Sequence, residues 1–188
     1  MSPFEYVIVL ISIILGLGIT TILTGVAELI KHTRPVTLYA PYIIWILLIF
    51  VLHIQDWWVS YRLMEEKVWT LPLFLLIILY PINLYILAHL LFPAGLSTAF
   101  NSREFFLTHH PRLFIGSSIL VVISLVHNIL YLGLPIAEQI PQALVLTILL
   151  AVLLTKNKNS TVHTTVSLVL LLIMIIGFAL DQENLVIQ

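Results

Sequence analysis

Six apolar runs follow one another almost without interruption along this chain, and no other feature limits its fold as strongly. Each run comes close to or exceeds the ~20 residues that an α-helix needs to cross ~30 Å of hydrocarbon. Water is absent from that core, so every backbone amide there must be paired within its own helix or in a closed barrel. Continuous apolar runs, rather than alternating ones, select helices. The sequence therefore predicts an all-α integral membrane protein, a bundle of about six transmembrane helices, with spans near 4–30, 41–63, 70–92, 113–134, 139–155 and 162–180. The fifth span is the shortest, and its loss would reverse the C-terminus.

Composition agrees with that reading. Hydrophobic residues make up 61% of the chain and charged residues 9%, whereas a soluble domain carries roughly a quarter of its residues as Asp, Glu, Lys and Arg. Too few charges remain to cover a water-exposed surface, and no polar stretch is long enough for a separate soluble domain. Residues 1–188 are read as a single transmembrane domain in contact with the lipid bilayer. The first run is too long for a signal-peptide core and lacks both a preceding basic segment and a following small-residue cleavage site, so it is expected to be retained. The chain has no cysteine, which excludes internal disulfides, thiolate-held clusters or zinc, and cysteine nucleophiles. A net charge of -1, with eight Lys and Arg spread over many loops, argues against a nucleic-acid partner, which needs a concentrated basic surface.

Lys31, Arg34, Arg103, Arg112, Lys156 and Lys158 follow the first, third and fifth spans, against Arg62 and Lys67 on the other side. The positive-inside rule makes the first set cytoplasmic and places both termini in the periplasm or exterior. Short loops favour antiparallel packing of sequential helices. The longer segment from Ala94 to Arg112 is read either as a plain loop or as a short interfacial helix capped by Ser97, with Phe100, Phe105 and Phe106 in the acyl boundary. His109 and His110 in that segment are read as solvated.

Ionisable and polar side chains inside a span are the functional candidates, because hydrocarbon makes them costly. In the first span Gly18, Thr21, Gly25 and Glu28 share one narrow face, a packing seam for a close helix ending in a carboxylate. In the second, His53, Asp56, Trp57 and Ser60 share a face, with Gln55 and Trp58 beside it. Entry near Tyr42 puts His53 near mid-membrane and Asp56 about 20 Å from the start at ~1.5 Å per residue. Asp56 either faces protein or a wet cavity, or sits shallow within an ordinary aromatic belt of Trp57, Trp58 and Tyr61. The third span carries Tyr80, Asn83 and His89, with Pro81 expected to kink it. The fourth presents Ser124, His127, Asn128 and Tyr131 as a partner face. The fifth and sixth spans contain almost no polar side chains and are assigned to scaffold, lipid or subunit contacts.

These positions predict a polar cavity among the first four helices, opening outward, with His53, Asp56, Asn83, His127, Asn128 and Tyr131 as its permeant-binding residues. Three chemistries fit. A His and Asp pair relays protons, because imidazole titrates near neutrality. His53, Asp56 and His127 supply ligands for a divalent metal, and His53 with His127 supplies axial ligands for a b-type haem; both are alternatives to a default of no cofactor. A satisfied, purely structural network explains the same residues.

The opening Pro3, Phe4, Glu5 and Tyr6, then Leu15, Gly16, Leu17, Gly18, Ile19 and Thr20, with Trp57 and Trp58 ending the second span, resembles an uncharacterised family of small bacterial multi-span inner-membrane proteins. The resemblance covers about the first third of the chain. It implies an inner (plasma) membrane location and implies no substrate or catalytic residue. The leading functional expectation is a channel-like or transporter-like protein moving a proton, ion or small solute, with enzymatic activity left open but not favoured, and with a homo-oligomer formed through the fifth and sixth helices. The alternatives are a haem or metal redox protein using His53 and His127, and a non-catalytic membrane assembly or signalling subunit.

Overall fold

The computed structural model describes residues 2–33, 35–66, 68–95 and 99–180. Its main elements are α1 (Pro3–Lys31), β1 (Val36–Thr37), α2 (Ala40–Val59), α3 (Leu71–Leu90), β2 (Phe100–Asn101), α4 (Ser102–Val126), α5 (Ile140–Thr155) and α6 (Ser160–Leu180). Three short turns extend them: a 3-10 segment Ser60–Glu65 after α2, a π-helical turn His127–Tyr131 after α4, and a 3-10 turn Ile136–Gln139 before α5. Six helices, with these extensions included, are long and apolar enough to cross a membrane. The fold is all-α, as the apolar runs predict. The leading 3-10 turn lengthens the fifth candidate span to 20 residues.

Local chemistry sets the helix starts. At α1 the Ser2 hydroxyl accepts the Glu5 amide and the Glu5 carboxylate accepts the Ser2 amide, a reciprocal cap followed by Pro3, which has no amide to leave unpaired. The Thr70 hydroxyl accepts the Leu73 amide at α3. At α4 the Asn101 side chain accepts the amides of Arg103 and Glu104.

Following contacts from helix to helix gives a closed circuit in the order α1, α3, α4, α5, α6, α2 and back to α1, with α2 also touching α3 and α4. The strongest partner of α1 is thus α3 and not its sequence neighbour. Its buried line is Val7, Ile11, Leu15, Gly18, Ile22 and Gly25, spaced by steps of three or four that keep one stripe inward.

One end of the bundle gathers the connections that carry Lys31, Arg103, Lys156 and Lys158. There β1 and β2 pair in parallel, Val36 with Phe100 and Thr37 with Asn101. The Ser102 hydroxyl donates to the Thr37 carbonyl at 2.7 Å, and the Tyr39 hydroxyl donates to the Ser160 carbonyl at 3.2 Å. These bonds hold the starts of α2, α4 and α6 at the same end, so the helices alternate in direction.

The segment from Ala94 to Arg112 departs from both sequence readings. Ser97 lies outside the described residues; Asn101 supplies the cap, and Ser102 onward is the first part of α4 itself. Pro111 does not break that helix. The amide it lacks would have bonded the Leu107 carbonyl four residues back, and the His110 imidazole takes that carbonyl instead, at 2.9 Å. His110 is correspondingly buried, not solvated.

Candidate functional site

Most buried polar atoms left without a hydrogen-bond partner lie on α2. Tyr42, Trp45, His53 and Asp56 recur at steps of three, eight and three, with Ile49 filling the place between Trp45 and His53, so all five share one face. Among the described residues, Tyr42 Oη, Trp45 Nε1, His53 Nε2 and Asp56 Oδ2 are each buried and unpartnered. From Tyr42 to Asp56 the line covers about 21 Å at ~1.5 Å per residue. Apolar neighbours fix it: Trp45 stacks on Phe114 of α4 with ring centroids 4.9 Å apart, and Tyr42 meets Phe92, Phe100 and Phe105 edge-on or tilted.

At His53 the line presses directly against α1. The imidazole has no solvent exposure, its Nδ1 donates to the Ile49 carbonyl at 2.7 Å, and Nε2 abuts Gly18 of α1. Carbonyl oxygen only accepts, so in the neutral ring the proton sits on Nδ1 and Nε2 carries a lone pair. The glycine is what admits the ring, since a Cβ at Gly18 would overlap it. One turn on, Asp56 lies half-buried within electrostatic reach of Tyr80 on α3, and its backbone carbonyl accepts the Ser60 hydroxyl at 2.6 Å.

The other sequence candidates separate into distinct places. Gly25 is buried against Phe92, Thr21 returns its hydroxyl to the Leu17 carbonyl, and Glu28 is exposed just off the buried stripe. Asn83 donates its amide to the Gly116 carbonyl of α4 at 2.9 Å, tying α3 to α4. His127 packs against the Tyr131 ring at 5.3 Å, Asn128 donates to the Gln139 side chain at 2.9 Å, and the Tyr131 hydroxyl donates to the Glu66 carboxylate. His127, Asn128 and Tyr131 thus form a polar closure at the end opposite the basic loops, built on the π-helical turn. Helix α3 continues through Pro81. Among the described residues no group of three His, Cys, Asp or Glu side chains is placed to hold a metal ion.

The sixth helix is less apolar inside than the sequence reading has it: His163 and Ser167 are fully buried, and His163 lies against His110. The four-residue step from His163 to Ser167, which puts both on one face of the Ser- and Thr-rich start of α6, is the signal that could have found them. Ser117 of α4, whose hydroxyl is buried without a partner, gave no such signal amid Gly116 and Ser118.

The bond from Asn83 to Gly116 is testable on its own. Asn83→Ala is expected to lower stability by about 1 kcal/mol, read from the unfolding midpoint in detergent. An unchanged midpoint would show that the bond adds nothing to the packing of α3 on α4.

Comparison of the chain with protein-family models, with curated proteins and with solved structures gives no match in any of the three.

Proposed function

We propose that the chain is a multi-pass protein of the inner membrane that moves a proton along the interior face of α2. The observation that carries the proposal is the line of unpartnered polar atoms from Tyr42 to Asp56. Leaving several such groups unsatisfied in a low-dielectric interior is costly, and a relay in which His53 and Asp56 take up and pass on the proton gives that cost a function. Membrane insertion is supported by the six apolar helices and by the outer surface, where Leu130, Leu154 and Ile30 are among many large apolar side chains left exposed. A water-facing protein rarely leaves so much contiguous apolar area uncovered. The basic loops gathered at one end support a cytoplasmic position for that end and an external one for both termini.

A proton is favoured over a larger permeant because His53 Nε2 meets Gly18 directly. A hydrated ion has no room to pass between them, whereas the free Nε2 of the imidazole takes up a proton and gives it back from the same atom while Nδ1 stays on the Ile49 carbonyl. The cysteine-free chain makes the test direct: cysteines are introduced one at a time at His53, Asp56 and Leu84 and challenged with a small membrane-impermeant thiol reagent. Asp56→Cys should react from the outer side, and Leu84→Cys, in the sealed core, should not. An Asp56→Cys variant as inert as Leu84→Cys would remove the outer half of the relay.

A further inference from the structure

The outward face of α4 changes character within one turn. Thr108, Arg112, Ile115, Ile119 and Val122 follow one another at alternating steps of four and three, and all five are exposed, so they form one stripe on the side of α4 turned away from the bundle. Its first two members are polar and its last three apolar. The far end of the helix locates the change. Nineteen residues separate Arg112 from Tyr131 of the polar closure, about 28 Å at ~1.5 Å per residue, close to the ~30 Å of hydrocarbon. With Tyr131 at the outer boundary, Arg112 stands at the cytoplasmic one, and the isoleucines and Val122 face acyl chains.

Among the described residues Arg112 has no carboxylate partner. The acid of α4 is Glu104, two turns nearer water and ~12 Å away along the axis. A guanidinium offers a planar fork of donors that matches phosphate oxygens, and the Thr108 hydroxyl, one turn back on the same stripe, is a further donor. One turn beyond Arg112, Gly116 lets α3 come close: its carbonyl takes the Asn83 amide at 2.9 Å, and a Cβ there would stand 2.8 Å from Leu87 Cδ2. Leu79 and Ile86, a turn to either side of Asn83, are exposed like Ile115 and Ile119. Below Arg112, then, runs a seam with apolar side chains on both edges.

We propose that this seam between α3 and α4 binds one anionic phospholipid of the cytoplasmic leaflet, its phosphate on Arg112 and Thr108 and an acyl chain along Ile86, Leu79, Ile115 and Ile119. The unpaired cation selects the charge. A net anionic headgroup neutralises the guanidinium, whereas a zwitterionic one brings an ammonium that repels it. The site depends on membrane insertion, part of the function proposed above, and not on the proton relay. General attraction of anionic lipid to basic loops acts equally through Arg103, which is exposed nine residues earlier on α4, about 13 Å nearer water and away from the seam.

The test uses the full chain in detergent, titrated with phosphatidylglycerol, with phosphatidylcholine of the same acyl chains, and with glycerol phosphate, bound lipid being read by native mass spectrometry. Wild type should retain a single phosphatidylglycerol about tenfold more tightly than phosphatidylcholine, and glycerol phosphate should not displace it. Arg112→Gln should weaken phosphatidylglycerol about tenfold and abolish the preference, while Arg103→Gln keeps it. Both side chains are exposed, so both variants should fold, and the comparison of the two lipids on wild type needs no variant. Equal retention of the two lipids, equal losses in Arg112→Gln and Arg103→Gln, or displacement by glycerol phosphate would overturn the site. Insertion is read separately, from flotation of the chain with liposomes after a carbonate wash. A chain that floats but shows no preference loses the site alone; a chain left in the wash loses the membrane reading and the site together.

Discussion

Gly18→Val is expected to destabilise the protein by about 3 kcal/mol, read as a lowered unfolding midpoint in detergent. A Cβ at this position would overlap His53 Nε2, lie 2.7 Å from its Cδ2 and 3.3 Å from its Cε1. The ring cannot swing aside, because its Nδ1 is held by the Ile49 carbonyl at 2.7 Å and it is sealed from solvent. Removing the obstacle should restore the packing: the double variant Gly18→Ala with His53→Ala is expected to lose less stability than the sum of the two single changes. Gly16, two residues earlier and on the opposite face of α1, has open space around its Cα, so Gly16→Ala should be neutral or slightly stabilising through helix propensity. A Gly18→Val variant as stable as wild type would mean that α1 and α2 do not approach as closely as described.

Asp56→Asn is expected to reduce proton flux about a hundredfold while leaving the unfolding midpoint near that of wild type. The amide matches the carboxylate in shape and polarity but cannot take up or release a proton near neutrality. Its neighbours Tyr80 and Ser60 keep their positions, so lost flux at preserved stability separates a relay role from a structural one. Asp56→Glu keeps the acid and should retain part of the flux. Full flux in Asp56→Asn would place the proton path elsewhere.

The helical class and the number of apolar helices were legible because hydrophobic runs of membrane-crossing length leave a chain few alternatives. Helix starts were legible only in part. Pro111 reads as a boundary, and nothing local announces that His110 would replace the missing amide and let α4 run on from Ser102. The β1–β2 pairing joins residues 64 positions apart through two residues on each side, too short for a periodic signal.

At the site, spacing alone put His53 and Asp56 on one face, and the same periodicity carried back to Tyr42 and Trp45 gives the rest of the line. Spacing could not say which helix each face meets. His53 meets Gly18 of α1, while His127 meets Tyr131 on its own helix; such partners depend on helix order and rotation, which one sequence does not encode locally. Gly18 itself stood out as part of a seam, and its role as the space for an imidazole emerged only from the packing.

The most direct measurement of the central claim is proton flux into liposomes carrying the purified wild-type protein, reported by an internal pH-sensitive dye under an imposed potential, beside liposomes carrying Asp56→Asn. The account predicts acidification by wild type well above protein-free liposomes and near-background rates for the variant. Wild-type rates equal to those of lipid alone would contradict it.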